Sequence, residues 1–181
     1  MMSRRRMMMQ QAKSGVAPIY HIENVVCNGD LYDPIELYTG TSLYTDDWAI
    51  AVDITPNKMY MYPVGTSNYF NVYVNWDGLR FTNSSTETVT KPWNARGKLV
   101  ATHSAAEADR RKVWLYSVLD GSYTVMSVTG DAIKTTNHQL YVGWDGTQTS
   151  GRQFYGTIHD ITVWHGYIPT ETEIKNYLGI S

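Results

Sequence analysis

The chain has 181 residues, 43% of them hydrophobic, which is enough to bury one sizeable core and argues for a single domain with a short extension. Its 14 Tyr, 6 Trp and 3 Phe suit pleated, half-buried surfaces, so β structure is expected. The formal charge of −2 is unevenly spread: Arg4, Arg5, Arg6 and Lys13 share a stretch with no acid, and the other 11 basic and 17 acidic residues give the body −6, which argues against bulk nucleic-acid binding.

The chain opens MMSRRRMMMQ, and residues 1–15 read as a basic, Met-rich arm ahead of a domain spanning 16–181. A secretory signal would need about 7–15 apolar residues after its basic start. Here Met7, Met8 and Met9 run straight into Gln10, Gln11 and Lys13, so the leader is not read as one. No run of about 18 apolar residues occurs, and no membrane-spanning helix is expected. Unbranched Met side chains adapt to irregular apolar grooves and Arg pairs with acids. Arg4, Arg5, Arg6, Met7, Met8 and Met9 are therefore candidates for anchoring the arm to a partner. Cys27 is the only cysteine, which excludes an intrachain disulfide and fits a small buried apolar residue.

From Ser14 onward the hydrophobic period is mostly two. WAIAVDI sets Trp48, Ile50, Val52 and Ile54 on one face against Ala49, Ala51 and Asp53, a strict strand pattern. YFNVYVNW does the same, with Phe70, Val72, Val74 and Trp76 against Tyr69, Asn71, Tyr73 and Asn75, so Trp48, Ile50 and Trp76 are expected in the core. Further strands are predicted at 98–104, 113–119, 123–129, 139–144 and 157–164. The dipeptides Asp77-Gly78, Asp120-Gly121 and Asp145-Gly146 pair an Asp that tolerates left-handed backbone with a Gly that prefers it, and read as turns. AAEADRRK joins two strands and is too short for an independent helix, so an exposed connection is expected there.

One helix is predicted, in PTETEIKNYLG. Thr170 caps it, Glu173 completes a capping box, Ile174, Tyr177 and Leu178 form its apolar face, and Gly179 ends it. Strands at intervals of roughly 10 to 15 residues with such turns describe an all-β, antiparallel sandwich with one short C-terminal helix and an extended N-terminal arm.

The tail FYGTIHDITVWHGYIPTETEIKNYLG resembles the last strand and closing helix of laminin G-like and pentraxin-like domains, of the concanavalin A-like lectin/glucanase group. Phe154, Gly156, Ile158, Asp160, Ile161, Val163, Trp164, Ile168, Thr170, Ile174 and Leu178 follow that pattern. DDWAIAVDITPN, GKLVATHS, VWLYSVLDG and QLYVGWDG are similar to earlier strands of the group, so the likeness runs from about Gly40 to Leu178. It implies a jelly-roll sandwich. It does not by itself fix a role, since the fold serves lectins, glycosidases, adhesion modules and virion parts. The Arg-Arg-Arg-Met-Met-Met leader resembles the N-termini of structural proteins of tailed phages of gut bacteria.

Glucanases of this fold carry carboxylates in an E-x-D-x-x-E pattern along one strand. EADRRK offers Glu107 and Asp109 but sets Lys112 in place of the second Glu, in a predicted loop, so no catalytic residues are assigned. His159 and His165 lie six residues apart, about 20 Å in an extended strand, and cannot share a metal. His21, His103, His138, His159 and His165 are read as ordinary hydrogen-bonded or surface histidines. No cofactor is expected, although some relatives bind calcium through loop oxygens, for which Asp46, Asp47, Asp77 and Asp145 are the candidates. Tyr38, Tyr44, Tyr60, Tyr62, Tyr69, Tyr73 and Trp93 fall at turns or on polar strand faces. They are candidate glycan contacts, or cover for an outer sheet or a subunit interface.

Together these features describe a non-enzymatic structural or decoration protein of a phage particle, such as a head fibre, capsid accessory or tail component. It would be anchored to other virion proteins by its arm, present a lectin-like surface to cell-surface glycans, and assemble as a homo-oligomer within the virion. The alternative is a soluble carbohydrate-binding module. A glycoside hydrolase is disfavoured by the missing carboxylate.

Overall fold

The computed structural model describes residues 16–36, 46–66, 70–83, 85–90, 94–109, 112–119, 121–129, 139–144 and 151–180. The leader, with Arg4 to Met9, and Tyr38, Tyr44, Tyr69 and Trp93 lie outside the described residues, as do His138 and the Asp145-Gly146 pair.

Among the described residues twelve strands and one helix follow one another: β1 (Tyr20–Asn28), β2 (Asp33–Glu36), β3 (Trp48–Pro56), β4 (Met61–Thr66), β5 (Phe70–Asn75), β6 (Gly78–Asn83), β7 (Ser85–Thr90), β8 (Gly97–His103), β9 (Lys112–Leu119), β10 (Ser122–Thr129), β11 (Gln139–Val142), β12 (Tyr155–His165) and α1 (Glu171–Leu178). They form two six-stranded antiparallel sheets, β1-β12-β3-β8-β9-β10 (sheet A) and β2-β11-β4-β5-β6-β7 (sheet B). The expected all-β sandwich with a C-terminal helix is what the chain builds. Among the described residues no helix is long and apolar enough to cross a membrane.

The inward rows of the two sheets meet in one core, which includes Trp48, Ile50, Val52 and Ile54 of β3, Val72 and Val74 of β5, Phe81 of β6, Leu140 and Val142 of β11, and Phe154. Cys27 is buried among them. In β12, Ile158, Ile161 and Val163 all point inward although Ile158 and Ile161 are an odd number apart. A register shift between Ile158 and Asp160 against β3 resets the alternation.

The outer face of sheet A is covered at its centre. Ile174 and Leu178 of α1 pack on Ala51 and Val100, with Tyr116, Val118, Tyr123, Trp164 and Tyr177 around them. This buries β3 on both faces, where simple alternation would leave Ala49, Ala51 and Asp53 toward solvent. The capping box forms as predicted: Thr170 Oγ1 accepts from the Glu173 N–H, Glu173 accepts from the Thr170 N–H, and Gly179 closes the helix in left-handed backbone.

Trp76 departs from the expected core. Asn75 pairs with Gly78, so the hairpin loop is Trp76-Asp77, one residue earlier than the predicted Asp77-Gly78 turn. The strand ends before Trp76 can take its inward place, and the ring stands 64% exposed. Loop 104–109 between β8 and β9 is the exposed connection anticipated for AAEADRRK.

Gly143 lies where sheet B meets the approach to β12. Its N–H donates to Pro63 O and its carbonyl accepts from the Phe154 N–H, both at 2.8 Å. Its φ is +85°, and a Cβ there would run into the Leu31 carbonyl. Gly143→Ala is expected to cost at least about 2 kcal/mol in chemical denaturation. Thr170→Ala, which removes only the helix cap, should cost about 1 kcal/mol by the same measurement.

Candidate functional site

Alternation in sheet B sends Val72, Val74, Leu79 and Phe81 to the core and their neighbours to the opposite face. On that outer face the register sets Tyr73 of β5 beside Arg80 of β6, Asn71 beside Gly65 of β4, and Gly65 beside Tyr141 of β11.

At its centre Tyr62 and Tyr73 stack, with ring centroids 5.4 Å apart and planes 25° apart. Two guanidiniums flank the pair. Arg152 lies over the Tyr62 ring at 5.6 Å, its position fixed by a backbone bond from the Tyr62 N–H to Arg152 O. Arg80 donates to the Tyr73 hydroxyl through Nη1 at 3.2 Å.

Asp77 orients Arg80. Its carboxylate accepts from Nε at 3.2 Å and from Nη2 at 2.7 Å, and a further bond from Asn75 Nδ2 at 2.9 Å ties it to the hairpin. The Nε–Nη2 edge of the guanidinium is thereby occupied, and Nη1 is directed toward the tyrosine pair. The bond from Arg80 holds the Asp77 carboxyl below its ordinary range, against a smaller opposing effect of burial, with Asn75 assisting.

A second aromatic group lies two strands over, about 10 Å from β5 by strand spacing. Tyr32 stacks on Tyr141 at 5.5 Å and meets Trp144 edge-on at 5.1 Å. Burial, with Tyr32 alongside, pushes the Tyr141 phenol up. The Trp144 indole nitrogen and Asn71 Oδ1 are buried without a hydrogen-bond partner among the described residues.

Of the residues chosen from sequence, the fold brings Tyr62 and Tyr73 together. Tyr60 stands 59% exposed in left-handed backbone just before β4, its N–H bonded to Val74 O. Arg80 and Arg152 were missed. Arg80 follows a hairpin, and only its register with Tyr73 gives it meaning, while Arg152 comes from a loop remote in sequence.

The other candidate chemistry is taken up structurally. Glu107 accepts the Trp114 indole N–H at 2.9 Å. Asp46 Oδ2 meets His165 Nε2 at 3.0 Å, and the Asp46 carbonyl meets the buried His103 ring, which stacks on Trp48. Asp47 accepts from the Ala105 N–H and the Ser104 hydroxyl, and His159 Nε2 meets Thr55 Oγ1 at 2.8 Å. Among the described residues no three His, Cys, Asp or Glu side chains gather to hold a metal ion.

No family model matches the chain, and no curated protein does. Solved structures do. The CBM40 of the Ruminococcus gnavus IT-sialidase, bound to α2,3-sialyllactose, superimposes with a TM-score of 0.60 at 13% identity over 90% of this chain and 100% of that one. The leech intramolecular trans-sialidase in complex with 2,7-anhydro-Neu5Ac matches with a TM-score of 0.53 at 16% identity over 91% of this chain. The K499G mutant of the NanB sialidase from Streptococcus pneumoniae matches at 0.56 and 13% over 88%. This chain spans 28% of the length of each of these last two. At these identities the likeness establishes the shared β-sandwich fold.

The Asp77–Arg80 pair gives a pH signature. Because the folded carboxyl is depressed, the pair's contribution is full above the unfolded carboxylate value and is lost as pH falls through the folded one. In Arg80→Ala the Asp77 titration is expected to move upward toward the ordinary range, as read by carboxyl-carbon NMR. An unmoved titration would mean that Arg80 does not hold this carboxylate in solution.

Proposed function

We propose that this chain is a non-catalytic carbohydrate-binding module that takes glycans bearing a carboxylate on the outer face of sheet B. The observation that carries the reading is the Tyr62–Tyr73 stack held between Arg80 and Arg152. Aromatic rings pack against the apolar face of a sugar, and guanidinium N–H groups match the geometry of a carboxylate. The R. gnavus module of similar fold is bound to a sialylated sugar, which supports the same ligand class here.

The non-catalytic part of the reading rests on carboxylates. Glycoside hydrolysis usually requires two acids set across the sugar. In the EADRRK segment Glu107 is engaged by Trp114, and Lys112 lies over the same ring at 4.5 Å where a second Glu would be needed. The expectation of a phage decoration protein drew on residues 1–15, outside the described residues. Similarity to sialidase modules supports the carbohydrate-binding alternative in its place.

Calorimetric titration with 3′-sialyllactose and with lactose tests the proposal. The sialylated sugar should bind at least about tenfold more tightly, a difference of about 1.4 kcal/mol, and added salt should narrow the gap. Arg80→Ala and Arg152→Ala should each erase most of that preference, whereas Glu107→Gln should leave it intact. Equal affinity for both sugars, or a preference indifferent to both arginines, would reject the reading.

A further inference from the structure

A second surface lies on the other sheet. Beside the N-terminal end of α1, an open groove of about 430 Å³ runs over the outer face of β8, β9 and β10. That volume is within the usual range of small-ligand sites, about 300–1,000 Å³. The rings of Trp114, Tyr116 and Tyr123 line it, with Glu107, Ser104 and Glu171 among its polar groups.

The strands arrange this local chemistry. Val113, Leu115 and Ser117 of β9 are buried, which turns Trp114 and Tyr116 to the outer face. Tyr116 and Tyr123 lie nearly parallel, with planes 22° apart and centroids 6.3 Å apart. The Trp114 indole is fixed by Glu107 Oε1, which leaves the other Glu107 oxygen to accept from a ligand. The Tyr123 hydroxyl is buried with no hydrogen-bond partner among the described residues. Burial, with Glu171 and Tyr116 nearby, raises its pKa.

Charge decides the class of occupant. Lys175 pairs with Glu171 at 2.8 Å and lies over Tyr123 at 5.1 Å, while Lys112 lies over Trp114 at 4.5 Å. Among the described residues the groove is lined by Glu107 and Glu171 and by no arginine, and the two lysines lie at its edge, Lys175 on Glu171 and Lys112 over Trp114. An anion would meet Glu107 and Glu171, and a cation would come up beside Lys175 on Glu171 and Lys112 on Trp114. A neutral molecule with apolar faces and many hydroxyls meets neither penalty.

We propose that this groove is a second carbohydrate site, separate from the face of sheet B, which takes neutral oligosaccharides on Trp114, Tyr116 and Tyr123, with Glu107 as a hydrogen-bond partner. It does not depend on the carboxylate-binding reading of sheet B.

Amide and indole NMR of the full chain, titrated with maltotriose and with chitotriose, tests it. At least one of the two should shift the Trp114 indole signal saturably, with that signal assigned through Trp114→Phe. Val125 lines the groove at 45% exposure, so Val125→Arg fills the space without removing core packing and should weaken binding at least about tenfold. Glu107→Gln can still accept the indole N–H and should weaken it several-fold, while Tyr73→Ala on the opposite sheet should leave it unchanged. The proposal falls if neither sugar gives a saturable shift. It falls equally if Val125→Arg binds as well as the parent, or if Tyr73→Ala abolishes the response.

Discussion

Strand β3 is buried on both faces, and the rest of the molecule is arranged around that constraint. Trp48, Ile50, Val52 and Ile54 fill the space between the sheets, while Ala49, Ala51 and Asp53 face a layer closed by α1. Small side chains at 49 and 51 let the helix approach the sheet closely, so that Ile174 and Leu178 seat on Ala51 and Val100. Burying these rows supplies the apolar contact that an eight-residue helix needs, since it could not persist alone.

The same layer must accommodate a charge. Asp53 is only 4% exposed, and an isolated carboxylate there would be very costly. Arg96 meets it with two bonds of 2.7 Å, and Lys98 adds a contact at 3.5 Å while donating to the Tyr177 carbonyl at the end of the helix. Nearby, burial pushes the Asp160 carboxyl up against the opposing pull of Thr162 and His21, and burial raises Tyr177 well above an ordinary phenol. Asp160 and Asp77 have opposite linkage. The stabilisation associated with a raised carboxyl such as Asp160 is full below its unfolded value and fades as pH rises through the folded one, the reverse of Asp77.

Much of this framework was legible in the sequence, because period-two rows and a capping box are local signals. The inward row of β3, the strands from β8 to β12 and α1 were all readable. Strands β4 and β7 were not: MYPVGT carries Pro63 and Gly65, and STETVT is polar throughout, so neither shows an apolar alternation. Burial of Ala49, Ala51 and Asp53 was hidden because it depends on a helix 120 residues downstream in the chain, about as far as Ala51 is from Glu171. Trp76 was misplaced because parity indicates a face only while the strand continues. On sheet B, Tyr62 and Tyr73 could be selected as aromatics on polar faces, but their partners Arg80 and Arg152 emerge only from register and loop closure. Trp114, Tyr116 and Tyr123 were inside predicted strands. Reading their outer row as a unit required knowing that α1 covers only part of sheet A.

A body with a formal excess of acid can still offer a face of the kind proposed for an anion. At physiological ionic strength exposed charges act over about 8 Å, so a ligand responds to the groups beside it more than to the net charge. Next to Tyr62 and Tyr73 those groups, among the described residues, are two guanidiniums, with Asp77 engaged on the Nε–Nη2 edge of Arg80. Beside Trp114 and Tyr123 they are, among the described residues, the carboxylates of Glu107 and Glu171 and the ammonium groups of Lys112 and Lys175. Both surfaces use aromatic rings, so the rings alone would not discriminate between ligands. In the proposed reading, selection would follow from what the neighbouring strands and the helix place around the rings: Asp77 turns a guanidinium toward the stack on one sheet, and Lys175, one turn into α1, pairs with Glu171 on the other. A shared sandwich can therefore carry two surfaces of different charge preference without any change to the core that supports them.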